Sequence, residues 1–360
     1  GFGDEGKGIA TDFLCSRSRN PIVVRFSGGH QAGHTVVLKG VRHVFSNFGS
    51  GTLRGAPTYW AKYCTVNPIG IVNELNKLSE KGITPTLYID EKCPIATPYD
   101  VLHNQTTEEI NLHGSCGVGV GATIEREEKY YSLLFGDIFY PSVFKIKLDE
   151  IRKYYSFKDD IDLTDFIECV EIIKESKHIV PVNGLPIYNN HDDIIFEGSQ
   201  GLLLDPKIGF FPHVTRTNVT TKNIIDMGYS PALYLVTRAY QTRHGNGPMV
   251  NENIPNNILI NSKETNVTNK YQGEFRRALL DLDLLKYGIN KDEYIRNHKY
   301  KSLVITCLDH IRDEYRFTHQ NQIISSTNEN EFIGKISKIL GIGNIYLSHS
   351  DDSTNITKWE

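Results

Sequence analysis

Two glycine-rich segments near the start of the sequence gather residue types that handle phosphate. Gly1-Phe2-Gly3-Asp4-Glu5-Gly6-Lys7-Gly8 matches the first seven positions of a G-x-x-x-x-G-K-[ST] phosphate loop and departs at the eighth, where Gly8 replaces the hydroxyl residue. In such a loop the glycines let backbone N–H groups face phosphate oxygens, and the lysine neutralises their charge. The Ser or Thr ordinarily holds Mg²⁺, so here a metal ligand has to come from elsewhere. Asp4 is the nearest candidate: a carboxylate inside the loop can hold the metal, or take a proton from a substrate lying beside the phosphates. The plainer alternative is a glycine-rich turn before a helix with an incidental lysine.

The second segment is Gly28-Gly29-His30-Gln31-Ala32-Gly33-His34-Thr35. His30 and His34 have the i, i+4 spacing of a zinc helix, yet the glycines disfavour a helix and no glutamate stands beside the first histidine. Glycines there would let the backbone come close to a phosphate or metal, leaving a histidine to act as general acid near neutral pH. A hydrogen-bonded structural histidine is the alternative.

Both segments need strands and helices to hold them. Apolar runs at Pro21 to Phe26, Thr86 to Ile89, Asp193 to Glu197, Ala232 to Tyr240 and Leu303 to Thr306 read as buried strands. Helical patterns occupy about Gly6 to Cys15, Ile71 to Glu80, Leu148 to Tyr155, Leu163 to Glu175, Arg276 to Lys286 and Glu331 to Leu340. The expected class is α/β, with a mostly parallel central sheet, flanking helices, a phosphate-loop-like site and long functional loops. Composition shifts little along residues 1–360, so a single domain is expected, with polar insertions near 106–131 and 251–272. The chain opens at Gly1 without methionine, and a strand ahead of the phosphate loop is expected outside this numbering.

The totals narrow the function classes. A net charge of −4 over 360 residues lacks the basic footprint of a nucleic-acid partner. Six cysteines without a C-x-x-C pair fit a reducing, cytoplasmic compartment better than a disulfide framework or a zinc site. No apolar run approaches the ~20 residues of a membrane span.

The paired openings, together with Ser115-Cys116-Gly117-Val118-Gly119-Val120-Gly121, Phe196-Glu197-Gly198-Ser199-Gln200-Gly201 through Asp205, Pro212-His213-Val214-Thr215-Arg216-Thr217-Asn218, Thr242-Arg243-His244-Gly245-Asn246-Gly247-Pro248 and Thr306-Cys307-Leu308-Asp309, resemble the adenylosuccinate synthetase family in its own order over essentially the whole chain. The resemblance implies a two-step ligation. The 6-oxygen of IMP is phosphorylated by GTP, then the amine of L-aspartate displaces that phosphate. By this similarity Asp4 removes the purine N1 proton and touches Mg²⁺, His34 is the acid assisting phosphoryl transfer, Lys7 stabilises the phosphates, and the Gly33 backbone completes the metal site. Gly3, Glu5, Gly6, Gly8, Gln31, Thr35, Cys116, Gln200, Thr215, Arg243 and Asp309 fall at nucleotide-binding positions. Gln200 would hold the base, Thr215 the 5′-phosphate, and Asp309 the N1 and amino protons of guanine. Thr268, Arg276 and Arg277 are what remains of the family's aspartate loop, whose guanidinium groups grip carboxylates. A homodimer is implied as well.

The sequence also departs from the family. Gln31 replaces asparagine, Cys116 a phosphate-binding threonine, and Cys307 the lysine that packs on guanine. A thiol is a poor hydrogen-bond donor, so the contact at Cys116 weakens. Only the Arg276-Arg277 pair stands in the amino-acid loop, and it is read as opening a helix. The arginine that the family receives across its dimer has no clear equivalent; Arg126 and Lys129 are the nearest cations. Ser348, His349 and Ser350 stand where the family closes its guanine pocket, with a poor local match. The short Thr242 to Gly245 and Tyr271 to Gly273 segments look like the short relatives found in some archaea and phages, a group that includes a branch aminating dGMP with aspartate, often using ATP, to give a 2-amino-2′-deoxyadenylosuccinate. That branch tends to lack the loop aspartate, so Asp4 favours IMP. Two alternatives remain: a phosphate-loop NTPase without ligation, in which the second glycine turn and Gln200 have no role and Asp309 reads the base, and a degenerate member that binds nucleotides without catalysis, against which Asp4, Lys7 and His34 together speak. For Asp309 itself the plainer alternative is a helix cap.

Overall fold

The computed structural model describes residues 1–111, 114–186, 191–266, 268 and 270–360. These fall into two compact units, one formed by Gly1–Phe13, Thr35–His43 and Gln200–Glu360, the other by Leu14–His34 and Val44–Ser199.

The second unit is built on a five-stranded, wholly parallel sheet in the order Ile179–Val182, Leu87–Asp90, Thr58–Trp60, Pro21–Arg25, Asp193–Glu197. Every position of Pro21–Arg25 is buried, as a central strand covered on both faces requires. Crossovers between parallel strands need helices, and Pro68–Glu80 and Thr164–Glu175 supply two of them. Asn67 starts the first by accepting from the Gly70 N–H at 3.1 Å, with Pro68 at its first position. Each predicted strand and helix of this unit lies on an observed one, with ends shifted by zero to seven residues.

The first unit has its own sheet, with Leu233–Arg238, Lys301–Thr306 and Asn344–Leu347 parallel and Thr357–Lys358 antiparallel at the edge. Leu303, Ile305, Ile345 and Leu347 of that sheet pack with Phe317, Phe332 and Ile336 into one core. A smaller cluster of Phe2, Leu203 and Ile208 lies beside the phosphate loop. The five strands read from the sequence therefore divide between one wholly parallel sheet and one mostly parallel sheet, and the α/β class holds.

One predicted helix is misplaced. Phe275–Ala278 is a strand, antiparallel to Gln241–His244 in the register Arg276↔Arg243 and Arg277↔Thr242. The helix that follows is Leu282–Lys291, capped by Asp281, whose carboxylate accepts from the Leu284 N–H at 2.7 Å. The arginines thus lie before the cap, where extended pairing was available.

Candidate active site

The chemistry-bearing residues form two groups, one on each unit. On the first unit, Gly3, Asp4 and Gly6 all have positive φ, of 96°, 58° and 93°, before the helix Lys7–Cys15 begins. A Cβ on Gly6 would meet Thr306 Cγ2 at 2.9 Å, so glycine is required both by its backbone and by the space. Gly201 is needed for closeness alone: its Cβ would lie 2.2 Å from the Gly1 carbonyl and 2.4 Å from the Gly3 nitrogen.

Three successive loop carbonyls are held by side chains from three strand ends. Thr242 donates its hydroxyl to the Gly3 carbonyl at 2.9 Å, Arg238 Nε donates to that of Asp4 at 2.6 Å, and the Thr306 hydroxyl donates to that of Glu5 at 2.8 Å. With the carbonyls occupied, the intervening N–H groups are what the loop offers an anion. Burial raises the Asp4 carboxyl above its ordinary range, against the lowering charges of Arg238, Lys7 and His244. A carboxylate held this way is a better proton acceptor than a free one.

Gln200 belongs to the same unit, and its buried Oε1 has no hydrogen-bond partner among the described residues. An amide oxygen left in that state suits an incoming ligand donor. The Thr215 hydroxyl lies 3.3 Å from that of Thr217, and the Thr215 N–H donates to the Leu204 carbonyl at 2.8 Å. Asp309, in a short turn after Lys301–Thr306, keeps a side chain 42% exposed with His310 Nε2 at 3.8 Å. Beside it, burial raises the Cys307 thiol, keeping it neutral. Thr35 shares a 3.1 Å hydroxyl contact with Thr265.

Two arginines expected at ligands have other partners. Arg243 is fully buried and gives Nε, Nη1 and Nη2 to the carbonyls of Asn246, Pro248 and His213 at 3.1, 2.7 and 3.0 Å. Its guanidinium also sits 4.2 Å from the Phe2 ring centre. Burial and then Arg276 lower it to about 10. Arg276 likewise binds the Gly245 and Gly247 carbonyls, and its Nη1 is 2.8 Å from Glu252. Both arginines thus shape the 245–248 turn. Arg277, on the opposite face of the strand, reaches the Leu259 carbonyl at 3.5 Å through Nη1. Thr268 is exposed, and its neighbours 267 and 269 lie outside the described residues.

On the second unit, His34 Nδ1 lies 2.6 Å from Glu197 Oε1, with both side chains buried. The Ser50 N–H donates to Glu197 Oε2 at 3.1 Å and its hydroxyl donates to Oε1. Burial alone would raise Glu197, but His34, Arg25 and Ser50 outweigh it and bring the carboxyl down to about 2. An ionised carboxylate on Nδ1 fixes the ring and leaves Nε2 as the atom for acid chemistry. His30 instead bonds the Val118 carbonyl through Nε2 at 3.0 Å, and burial lowers its pKa, which fits the structural reading of that histidine. The Gln31 Oε1 is buried without a partner among the described residues, and Gly33 is exposed. Burial pushes the Cys116 thiol up to about 11. Arg126 is fully buried against Asp100 at 2.8 Å, which removes it as a cation for a neighbouring subunit. Glu197, Ser50, Arg238 and Glu264 were not singled out by sequence reasoning. Only Glu197 left a signal, as a carboxylate at a buried register of an otherwise apolar strand.

Among the described residues no group of three or more His, Cys, Asp or Glu could hold a metal. A single loop carboxylate such as that of Asp4 nevertheless fits Mg²⁺, which takes one or two carboxylates and completes its shell with substrate phosphates and water.

The adenylosuccinate synthetase family profile matches residues 1–331. The chain belongs to that family. Curated adenylosuccinate synthetases from Ectopseudomonas mendocina and Edwardsiella ictaluri are 35% and 32% identical over 274 and 273 residues. The match covers 70% of this chain and 63% of each relative, so it spans less than two thirds of their length. The fold is also that of a fully ligated adenylosuccinate synthetase from Plasmodium falciparum, with TM-score 0.81 and 17% identity over 100% of this chain and 98% of that one. A cyanophage S-2L succinoaminodeoxyadenylate synthetase bound to dGMP and dATP superposes with TM-score 0.66 and 15% identity over 99% and 92%.

Proposed function

We propose that this chain joins L-aspartate to a purine nucleoside monophosphate, with IMP and GTP as its substrates, releasing adenylosuccinate, GDP and phosphate through a 6-phosphoryl intermediate. The observation that carries this reading is Asp4: a carboxylate set by left-handed backbone inside a phosphate loop, with its pKa raised by burial and flanked by Lys7 and Arg238. A base there serves proton removal from a purine lying beside the phosphates.

In the first step Asp4 takes the N1 proton of the purine as the 6-oxygen attacks the γ-phosphorus. Lys7 and the loop N–H groups of Gly3 to Gly8, Glu5 and Gly6 included, neutralise the charge spread over the transferring group. His34, oriented by Glu197, gives a proton from Nε2 as charge builds on oxygen. Gln200 holds the base and Thr215 the 5′-phosphate, while Gln31, Thr35 and Cys116 line the phosphates. Asp4 and the Gly33 carbonyl are the groups that would hold Mg²⁺, whose charge would help to neutralise the phosphates. In the second step the aspartate amine displaces the 6-phosphate, with Thr268 and Arg277 at its carboxylates. Arg243 and Arg276 act at one remove, by fixing the turn beside them. Asp309 selects guanine, since adenine offers no matching donor pair.

The test is a grid of IMP, GMP and dGMP against GTP and ATP, with aspartate and Mg²⁺, reading products by mass. Adenylosuccinate from IMP alone is expected. A product from dGMP alone would move the chain to the phage-like chemistry, and phosphate release indifferent to every monophosphate would make it an NTPase.

A further inference from the structure

Of the three side chains on the phosphate-loop carbonyls, two are threonines and one is a charged group that is itself held. Arg238 is 6% exposed; besides Asp4, it donates through Nη1 to Glu264 Oε2 at 2.9 Å and to the Tyr240 hydroxyl at 2.7 Å. Burial works against its charge, and the Glu264 carboxylate offsets that cost. The other oxygen of Glu264 accepts from the Asn266 backbone N–H at 3.2 Å and its side-chain amide at 2.9 Å. The neighbouring residues are anchored too, Thr265 to Thr35 at 3.1 Å and the Lys263 carbonyl to Arg42 Nη2 at 2.8 Å. Residues 263–266 are therefore pinned on one side to Thr35 and Arg42, and on the other, through Arg238, to Asp4. They lead directly into Thr268 and the stretch that the proposed reaction uses for aspartate.

The backbone of Asp4 explains the need for such a hold. A φ of 58° is a conformation that a residue with a Cβ leaves readily unless its surroundings fix it. A threonine hydroxyl could hold the carbonyl but could not also reach the 263–266 segment. Arginine does both because its fork carries several donors in fixed relation.

We propose that Arg238 and Glu264 are a positioning pair that fixes Asp4 and makes its placement depend on the docking of residues 263–266. The role assigned to Asp4 rests on the ligase reading; the mechanical link does not. When Glu264 releases Arg238, the Asp4 carbonyl loses its donor and the loop relaxes. Seating of the amino-acid stretch and readiness of the base are thereby tied together.

The test compares wild type with Glu264→Gln, Arg238→Met and the double variant. Hydrogen–deuterium exchange of the peptide covering residues 1–9 is measured without ligands, and kcat and monophosphate affinity are measured separately. Glu264→Gln keeps the shape and loses the charge. It is expected to speed loop exchange and lower kcat about tenfold, the effect of one charge-assisted bond, with monophosphate affinity within twofold. The double variant should be no worse than Arg238→Met alone. Arg238→Lys, which keeps the charge but not the fork, should show the same loop release and serves if the methionine variant does not fold. Unchanged loop exchange in Glu264→Gln, or single effects that multiply in the double variant, would overturn the proposal. A wild-type protein that makes no ligation product would instead remove the ligase reading, while the exchange data would still decide the link.

Discussion

Replacing Glu197 with glutamine keeps the shape of a buried side chain and removes a negative charge from beside His34 and Arg25. His34 lies 2.6 Å from the carboxylate. Arg25 is fully buried, its guanidinium is 5.1 Å from the Trp60 ring centre, and none of its nitrogens has a hydrogen-bond partner among the described residues. Its charge is balanced largely through space by Glu197, so the variant leaves a buried cation without its counter-charge. Removing one member of a buried pair costs about 3 to 5 kcal/mol. A second route gives a similar size: the carboxyl lies at about 2 when folded against an ordinary 4.5, and such a shift corresponds to about 3 kcal/mol. The folded value is the lower one, so as pH falls the unfolded chain binds the proton first. The stabilisation is complete above pH 4.5 and is lost as pH falls toward 2. Urea unfolding would be followed by fluorescence in a Trp359→Phe background, where Trp60 becomes the sole indole of a chain with two. Glu197→Gln should lose about 3 kcal/mol at pH 7, with the gap to wild type narrowing below pH 4.5. Adding Arg25→Met should restore part of the loss, because both charges are then gone. A variant within about 0.5 kcal/mol of its parent at pH 7, or a gap indifferent to pH, would refute the assigned electrostatics.

Three further outcomes follow from the same geometry. Asp4→Asn should abolish turnover while calorimetry still finds nucleotide binding, and an active variant would remove Asp4 from the base role. Gln200→Ala should raise the monophosphate KM about tenfold, the worth of roughly one hydrogen bond; an unchanged KM would show that its unpartnered oxygen meets no ligand. Arg243→Met should cost about 2 to 4 kcal/mol of stability by removing three guanidinium–carbonyl hydrogen bonds while shifting triphosphate affinity less than threefold. A stable variant with weak triphosphate binding would return Arg243 to the ligand.

What the sequence made legible was local. The phosphate loop, the helix after it and the strand ends flanking both glycine turns are written in residues within a few positions of each other, where glycine conformation and apolar runs decide the outcome. The polar partners were not legible, because they are joined only by the fold: His34 and Glu197 are 163 residues apart, and Asp4 and Arg238 are 234 apart. Arg276 shows the same limit. Its surroundings satisfy a helical pattern as well as a strand, and the choice is made by pairing with Gln241–His244 and by the cap at Asp281. Resemblance assigned Arg243 to a nucleotide, whereas its guanidinium meets two carbonyls of the 245–248 turn and that of His213, partners that no spacing rule reveals.

The most direct test of the ligase account follows one oxygen atom. IMP carrying ¹⁸O at position 6 would be incubated with GTP, L-aspartate, Mg²⁺ and the protein, and the released phosphate examined by mass. A 6-phosphoryl intermediate displaced by the amine sends that oxygen into phosphate, so labelled phosphate in equal amount to adenylosuccinate is the predicted result. Phosphate free of label, with the ¹⁸O retained on the purine, would contradict the account and leave a protein that only hydrolyses its triphosphate.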